Sequence, residues 1–151
     1  MTSSNTLGVL YAEDDPDDRL LAEMAYRESG AINPIAFVAD GEEALDYLRG
    51  TGRHADRAGV PRPGIILLDL NMPGMDGRET LRIIRGDPAL RRIPVVILTT
   101  SSAREDITGS YDAGANSYIV KPSAFPSLVQ LFQRLFGYWF EICSLPQEAR
   151  R

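Results

Sequence analysis

One cysteine and one histidine are all that 151 residues hold of the two side chains that most often build nucleophiles and metal cages. A single Cys143 excludes an internal disulfide and any cysteine-based cluster. Beside Ile142 and Leu145 it reads as an apolar or half-exposed thiol. His54 stands in a loop with Arg53, Asp56 and Arg57, so it reads as a solvated side chain rather than a general base. No apolar run is long enough to span a bilayer and no segment is laid out as a signal peptide, so no membrane partner and a cytoplasmic location are expected. An excess of basic residues is missing too. The 16 Lys and Arg face 21 Asp and Glu, which argues against direct nucleic-acid binding. The length fits one domain with a full core.

What the chain does have is a stretch of unusual order, Gly64-Ile-Ile-Leu-Leu-Asp69-Leu-Asn-Met-Pro73-Gly-Met-Asp-Gly77. Four consecutive aliphatics, Ile65 to Leu68, read as a strand covered on both faces, as in the centre of a parallel sheet. The apolar run stops on Asp69, at the carboxyl edge where open α/β sheets bind ligands. Pro73-Gly74 and Asp76-Gly77 then turn the chain sharply. A helix cap or a plain loop carboxylate would explain Asp69 taken alone.

The same plan recurs along the chain. Leu7 to Ala12 is a first strand, followed at once by Glu13-Asp14-Asp15-Pro16-Asp17-Asp18. Pro16 suits a first helical turn, and acids there complement the helix dipole. Like charges this close also repel, and a divalent cation with oxygen ligands, such as Mg²⁺, would relieve that repulsion. A helix through Arg19 to Glu28 carries Leu20, Leu21, Met24 and Ala25 at helical spacing and stops at Gly30. Pro34 to Val38 is a second strand, and Asp40-Gly41 opens a helix with Ala44, Leu45 and Leu48. Thr51 to Pro63, rich in Gly, Pro and Arg, reads as a long surface loop. Arg78 to Arg85 form a helix with Leu81 and Ile84 inward. Val95 to Leu98 is another doubly covered strand, ending on Thr99-Thr100-Ser101-Ser102, hydroxyls that offer a helix cap and donors for a phosphoryl oxygen. The helix Ala103 to Ala113, with Thr108, Gly109 and Ser110 inside, is intrinsically weak. Ala115 to Val120 leads to Lys121, a lone cation at the fifth strand tip. Five βα units imply a doubly wound α/β parallel sheet with right-handed crossovers. In that topology Asp14, Asp69, Thr99 and Lys121 share one edge.

From Phe125 to about Ile142 runs the most apolar helix. Steps of about 100° per residue place Leu128, Phe132, Leu135, Trp139 and Ile142 on one stripe and Phe125, Val129, Phe136 and Phe140 on its neighbour. That arc is roughly twice what one core needs. A two-fold homodimer through Phe125, Val129, Phe132, Phe136, Trp139 and Phe140 would cover it; so would the tail from Ser144, folding back through Leu145-Pro146.

These residues resemble the receiver domain of bacterial two-component response regulators over nearly the whole chain: Glu13-Asp14 after the first strand, Leu-Leu-Asp69-Leu-Asn-Met-Pro with Gly77, the Thr99 tip, and Tyr118-Ile-Val-Lys121-Pro122. The resemblance implies a flavodoxin-like fold, five strands in the order 2-1-3-4-5 flanked by five helices. It implies that Asp69 accepts a phosphoryl group from a sensor histidine kinase. Mg²⁺ would be held by Asp14, Asp69 and the backbone carbonyl of Asn71, with Glu13 acting through water, and Thr99 and Lys121 would bind phosphoryl oxygens. Thr99 and Tyr118 would form the switch, moving the surface made by the fourth and fifth strands and helices. On this resemblance residues 7–142 are the receiver domain, 1–6 a disordered tail and 143–151 a C-terminal tail, with no output domain attached. The Thr51 to Pro63 insertion and the Phe136 to Pro146 segment are similar to regulators paired with phytochrome kinases, which dimerise through that helix. Glu13 stands where the family more commonly has aspartate, and Thr100 where many members carry a smaller residue.

Two other readings compete. A haloacid-dehalogenase type of phosphohydrolase also phosphorylates a strand-tip aspartate, but needs an acid two residues on, where this chain has Asn71. A pseudo-receiver that binds partners without phosphorylation would have no use for Asp14, Asp69, Thr99 and Lys121 together.

Overall fold

The apolar runs do become strands. In the computed structural model, which describes residues 7–146, β1 (Val9–Ala12), β2 (Ile35–Val38), β3 (Ile65–Leu68), β4 (Val95–Thr99) and β5 (Ser117–Val120) form one parallel sheet in the order β2-β1-β3-β4-β5. The helices are α1 (Pro16–Glu28), α2 (Gly41–Arg49), α3 (Gly77–Gly86), α4 (Arg104–Asp112) and α5 (Phe125–Phe136). The expected doubly wound sheet and strand order are therefore present. The expected disordered tail, residues 1–6, and the last five residues of the C-terminal tail lie outside the described residues. No described helix is long and apolar enough to cross a membrane.

Strand side chains alternate between two cores, as a sheet covered on both faces requires. Leu10, Ala12, Ile66, Leu68, Val95 and Ile97 face α2 and α3, where Ala44, Leu45, Leu48, Leu81 and Ile84 meet them. Val9, Tyr11, Ile65, Leu67, Val96 and Leu98 face α1 and α5. Residues Val9–Ala12, Ile65–Leu68 and Val95–Leu98 are all at most 1% exposed, so every strand tip in the middle of the sheet is fixed by packing on both sides.

Two helices depart from the expected faces. On α1 the buried residues are Ala22, Ala25 and Tyr26, while Leu20, Leu21 and Met24 are 58, 40 and 52% exposed. The small alanines let α1 approach the sheet closely, and Tyr26 sets its ring edge against Phe132 and Phe136. On the last helix, Phe132, Phe136 and Phe140 are core residues, at 0, 3 and 3% exposure. Each buried ring stabilises the monomer by roughly 1.5–3 kcal/mol, so these three cannot line a dimer interface as the 3.6-residue wheel indicated. The helix turns wider after Phe136, with Gly137–Ile142 in a π-helical turn and the Cys143 N–H donating to the Tyr138 carbonyl at 2.9 Å. A wider turn keeps every fourth residue facing inward. Ile142, which the wheel placed on one stripe with the buried Leu128 and Phe132, is 75% exposed. Leu145 does fold back, packing on the α1 and α5 side of the core.

Thr51 to Pro63 is also more ordered than a plain surface loop. Gly52–Arg57 forms 3₁₀ turns against α2. His54 is not solvated: its Nε2 lies 3.0 Å from Glu43 Oε2, its ring meets Tyr47 edge-on, and the Arg57 guanidinium sits 3.7 Å from the centre of the Tyr47 ring.

Candidate functional site

The register carries the site residues to one edge. Ala12 pairs with Leu68, Leu68 with Ile97, and Thr99 with Val120, so the residues that follow β1, β3 and β5 emerge beside Thr99, the last residue of β4. Asp69 is 7% exposed. Its Oδ1 accepts hydrogen bonds from the Thr99 hydroxyl at 2.9 Å and the Asn71 N–H at 3.1 Å, and its Oδ2 has a longer contact of 3.5 Å from Lys121 Nζ. Gly77 N–H donates to the Leu70 carbonyl at 3.1 Å, closing the loop after Asp69. A side chain at Gly77 would overlap the carbonyl oxygen of Asp69. Only glycine lets α3 start this close to the strand tip.

The acidic cluster separates into two jobs. Asp15 caps α1, accepting from the N–H groups of Asp17 and Asp18, which is the structural role expected of acids at a helix start. Glu13 and Asp14 belong to the site. Arg19 donates to the carbonyls of Glu13 at 2.7 Å and Asp14 at 3.1 Å, so the backbone under both acids is held. Glu13 is 1% exposed; its Oε1 takes Lys121 Nζ at 2.7 Å and its Oε2 takes the Asp15 N–H. Burial raises the Glu13 carboxyl and outweighs the opposing contacts from Lys121 and the Asp15 N–H, leaving it pushed up to about 7. Burial also works against the charge on Lys121, but the fields of Tyr11, Glu13 and Asp69 outweigh it and hold the ammonium above its usual range. Lys121 therefore stays charged at neutral pH, between two carboxylates.

Asp14 is half-buried, and its carboxylate has no protein partner among the described residues. Together with Asp69 it offers hard oxygen donors, the chemistry that suits Mg²⁺ or Mn²⁺. Glu13 is committed to Lys121. In keeping with that, no group of three or more His, Cys, Asp or Glu side chains among the described residues forms a closed metal cage. A cation here would draw on two carboxylates, backbone oxygen and water, which fits the open, hydrated coordination of Mg²⁺.

Beyond Thr99 the chain is tied to β5. Tyr118 donates its hydroxyl proton to the Ser101 carbonyl at 2.9 Å, and its own N–H donates to the Tyr111 hydroxyl at 3.1 Å. Both expected switch residues are thus connected to the loop between β4 and α4, Thr99 through the chain and Tyr118 through a hydrogen bond.

The arrangement of an acidic pair, a strand-tip aspartate, a hydroxyl and a buried lysine on a 2-1-3-4-5 sheet defines a class. Residues 9–133 match the response regulator receiver domain model, and the chain belongs to that family. Response regulator Rcp1 of Synechocystis is 36% identical over 138 residues, 91% of this chain and 92% of that one. The crystal structure of the phosphorylated cyanobacterial phytochrome response regulator RcpA is similar with a TM-score of 0.85 at 39% identity, covering 94% of this chain and 99% of that chain. The Mn²⁺-bound form of Rcp1 gives a TM-score of 0.82 at 35% identity, over 93% of this chain and 99% of that one.

Asp69, Thr99 and Lys121 meet as the strand tips indicated; Asp14 stands beside Glu13 at the end of β1, and Asn71 touches Asp69 through its N–H. The sequence reading missed Arg19, which pins the acidic loop, and a chain of polar contacts from Arg78 through Asp106 to Ser101. A signal for Arg19 existed in its place directly after the acidic run. Arg78 and Asp106 are 28 residues apart and leave no local mark.

Proposed function

We propose that this receiver domain takes a phosphoryl group on Asp69 from the phosphohistidine of a sensor kinase and relays it through the surface of β4, α4, β5 and α5. The observation that carries the reading is the convergence of Thr99 and Lys121 on one nearly buried carboxylate. A carboxylate oxygen of Asp69 attacks phosphorus, the bond to the kinase imidazole nitrogen breaks, and the imidazole leaves with its electron pair. Lys121 neutralises charge on the transferring oxygens, and the Thr99 hydroxyl, already at Asp69, donates to one of them. Mg²⁺, held by Asp14, Asp69 and the Asn71 carbonyl, would supply further charge neutralisation at that centre. Glu13 holds Lys121 in place and would reach the cation through water. The Mn²⁺-bound form of the relative Rcp1 supports the use of a divalent cation, and the phosphorylated RcpA structure supports phosphorylation as the signal.

The likeness to phytochrome regulators makes a phytochrome-type kinase the proposed donor. Radiolabel moving from such an autophosphorylated kinase to the parent chain, and not to Asp69→Ala, is the expected result; equal labelling of both would reject the assignment. The acceptor role does not depend on that pairing.

The proposed homodimer uses residues the monomer covers only in part. Ile119, Val120, Leu131, Leu135, Tyr138 and Trp139 line a groove of about 490 Å³ between β5 and α5, with Val120 and Tyr138 46 and 52% exposed. Phe125 and Val129 flank it, half-buried. Trp139→Ala should shift sedimentation from dimer to monomer, and an unchanged dimer would remove this face from the account.

A further inference from the structure

The polar chain under α4 has no part in the chemistry just described, and α4 needs it. This helix buries only Ser110 completely, has Gly109 in its interior, and has no side-chain cap at Ala103. Its first turn is held from outside instead. The Ala103 N–H donates to Ser101 Oγ at 3.2 Å, and Ser101 Oγ donates to Asp106 Oδ2 at 2.6 Å. Arg78 reaches across from the first turn of α3 and donates to Asp106 Oδ1 at 3.0 Å. The Arg78 guanidinium lies flat over Gly109: a side chain there would come within 3.1 Å of its central carbon. The hydrogen bond from Ser101, then the Arg78 guanidinium, hold the Asp106 carboxyl below its usual range.

Arg78 follows directly on Asp76 and Gly77, the end of the loop that begins at Asp69. At the other end of the chain, the Ser101 carbonyl is the acceptor for Tyr118. One guanidinium therefore connects the Asp69 loop to the start of α4 without passing through Thr99. Arg78 Nε is buried without a hydrogen-bond partner among the described residues, and an unsatisfied buried donor lowers the cost of moving the guanidinium away.

We propose that Arg78, Asp106 and Ser101 form a latch that sets the position of the α4 first turn according to the state of the Asp69 loop, making Arg78 and Asp106 positioning residues for the switch. The proposal rests on the phosphoacceptor reading of Asp69. When a phosphoryl group and cation rearrange that loop, Arg78 moves with α3, and Ser101, Tyr118 and α4 lose or regain their anchor together. This is a second route from site to output face, beside the Thr99 and Tyr118 pair.

The test is amide hydrogen exchange across residues 103–110, with and without saturating acetyl phosphate and Mg²⁺, on the parent, Arg78→Met, Asp106→Asn and the charge-exchanged pair Arg78→Asp with Asp106→Arg. Intact mass on the same samples reports the adduct. Without phosphate, both single variants should exchange about fivefold faster in α4, the scale of one lost cap, and phosphorylation should add no further change there. Adduct formation should stay within about twofold of the parent, because neither residue touches Asp69. The exchanged pair restores the ion pair but not the Ser101 hydrogen bond, because arginine has no acceptor, so it should recover only part of the parent protection; full recovery would remove Ser101 from the latch. Parent-like exchange in either single variant, or a parent-like response of α4 to phosphorylation in Arg78→Met, overturns the latch. A parent that takes no adduct overturns the acceptor reading and with it the coupling, while the unphosphorylated comparison still judges the contact.

Discussion

Gly77 and Gly86 stand at the two ends of α3, and the structure assigns them opposite responses to the same added methyl group. Neither has a positive φ, so backbone conformation does not distinguish them. Space does. A Cβ at Gly77 overlaps the carbonyl oxygen of Asp69 and lies 2.9 Å from Leu70 Cα, whereas a Cβ at Gly86 meets nothing within 4 Å. Ordinary helix propensity favours alanine over glycine by up to about 1 kcal/mol, and Gly86→Ala should gain part of that. At Gly77 the backbone must move, and overpacking of this kind costs about 1–3 kcal/mol, enough to reverse the sign. For a chain of this size, 1 kcal/mol moves Tm by roughly 2–4 °C, so Gly77→Ala should melt several degrees below the parent and Gly86→Ala at or slightly above it. Because the displaced atoms belong to Asp69 itself, adduct formation from acetyl phosphate should also slow, by about 10- to 100-fold for a shift of 1 Å. Thermal melts and urea titrations of the three proteins, with intact mass against time, measure both effects. A Gly77→Ala protein that melts above the parent and phosphorylates at the parent rate would refute the claim that α3 is pressed against the Asp69 carbonyl.

Lys121→Ala strands Glu13 at 1% exposure; Glu13 then takes up a proton, so the loss of stability should stay near 1–3 kcal/mol, while acetyl phosphate adduct formation falls about 100-fold. A variant that phosphorylates normally would show that Lys121 is only a partner for Glu13. Because the folded-state value for Glu13, about 7, lies above its ordinary 4.5, the native state binds more protons than the unfolded state between those values, and the contribution of Glu13 to stability declines as pH rises through that window. Without divalent cations, Glu13→Gln should therefore gain stability relative to the parent from pH 4.5 to 7 in urea titrations; a constant difference would mean the carboxyl ionises as in water. His54→Ala removes the contacts to Glu43 and Tyr47 and should cost about 1 kcal/mol, with faster amide exchange confined to residues 51–58; unchanged exchange there would show that the insertion is held by other contacts.

The strand tips were legible because a doubly buried parallel strand is a local pattern, and its end is marked by the first residue that cannot be covered. Asp69 and Thr99 are the first polar residues after the buried runs Ile65–Leu68 and Val95–Leu98, Lys121 follows a half-covered edge strand, and the parallel topology supplies their meeting. What the sequence concealed depends on contact between distant segments. His54 sits in a run of polar loop residues, and nothing local says that the run folds onto α2. The wheel drawn for Phe125 to Ile142 assumed 3.6 residues per turn and put Ile142 with Leu128 and Phe132, and the π-helical turn after Phe136 leaves Ile142 exposed while those two are buried. On α1, leucines at helical spacing drew attention from the alanines that allow close packing. Arg78 and Asp106 are ordinary surface residues until two helices are placed side by side.

Intact mass after incubation with acetyl phosphate, with and without Mg²⁺, on the parent and on Asp69→Ala, tests the central claim most directly. One phosphoryl adduct on the parent, dependent on Mg²⁺ and absent from Asp69→Ala, is the predicted result. A folded parent that takes no adduct with Mg²⁺ present, or an adduct that survives Asp69→Ala, would contradict the assignment of Asp69 as the acceptor.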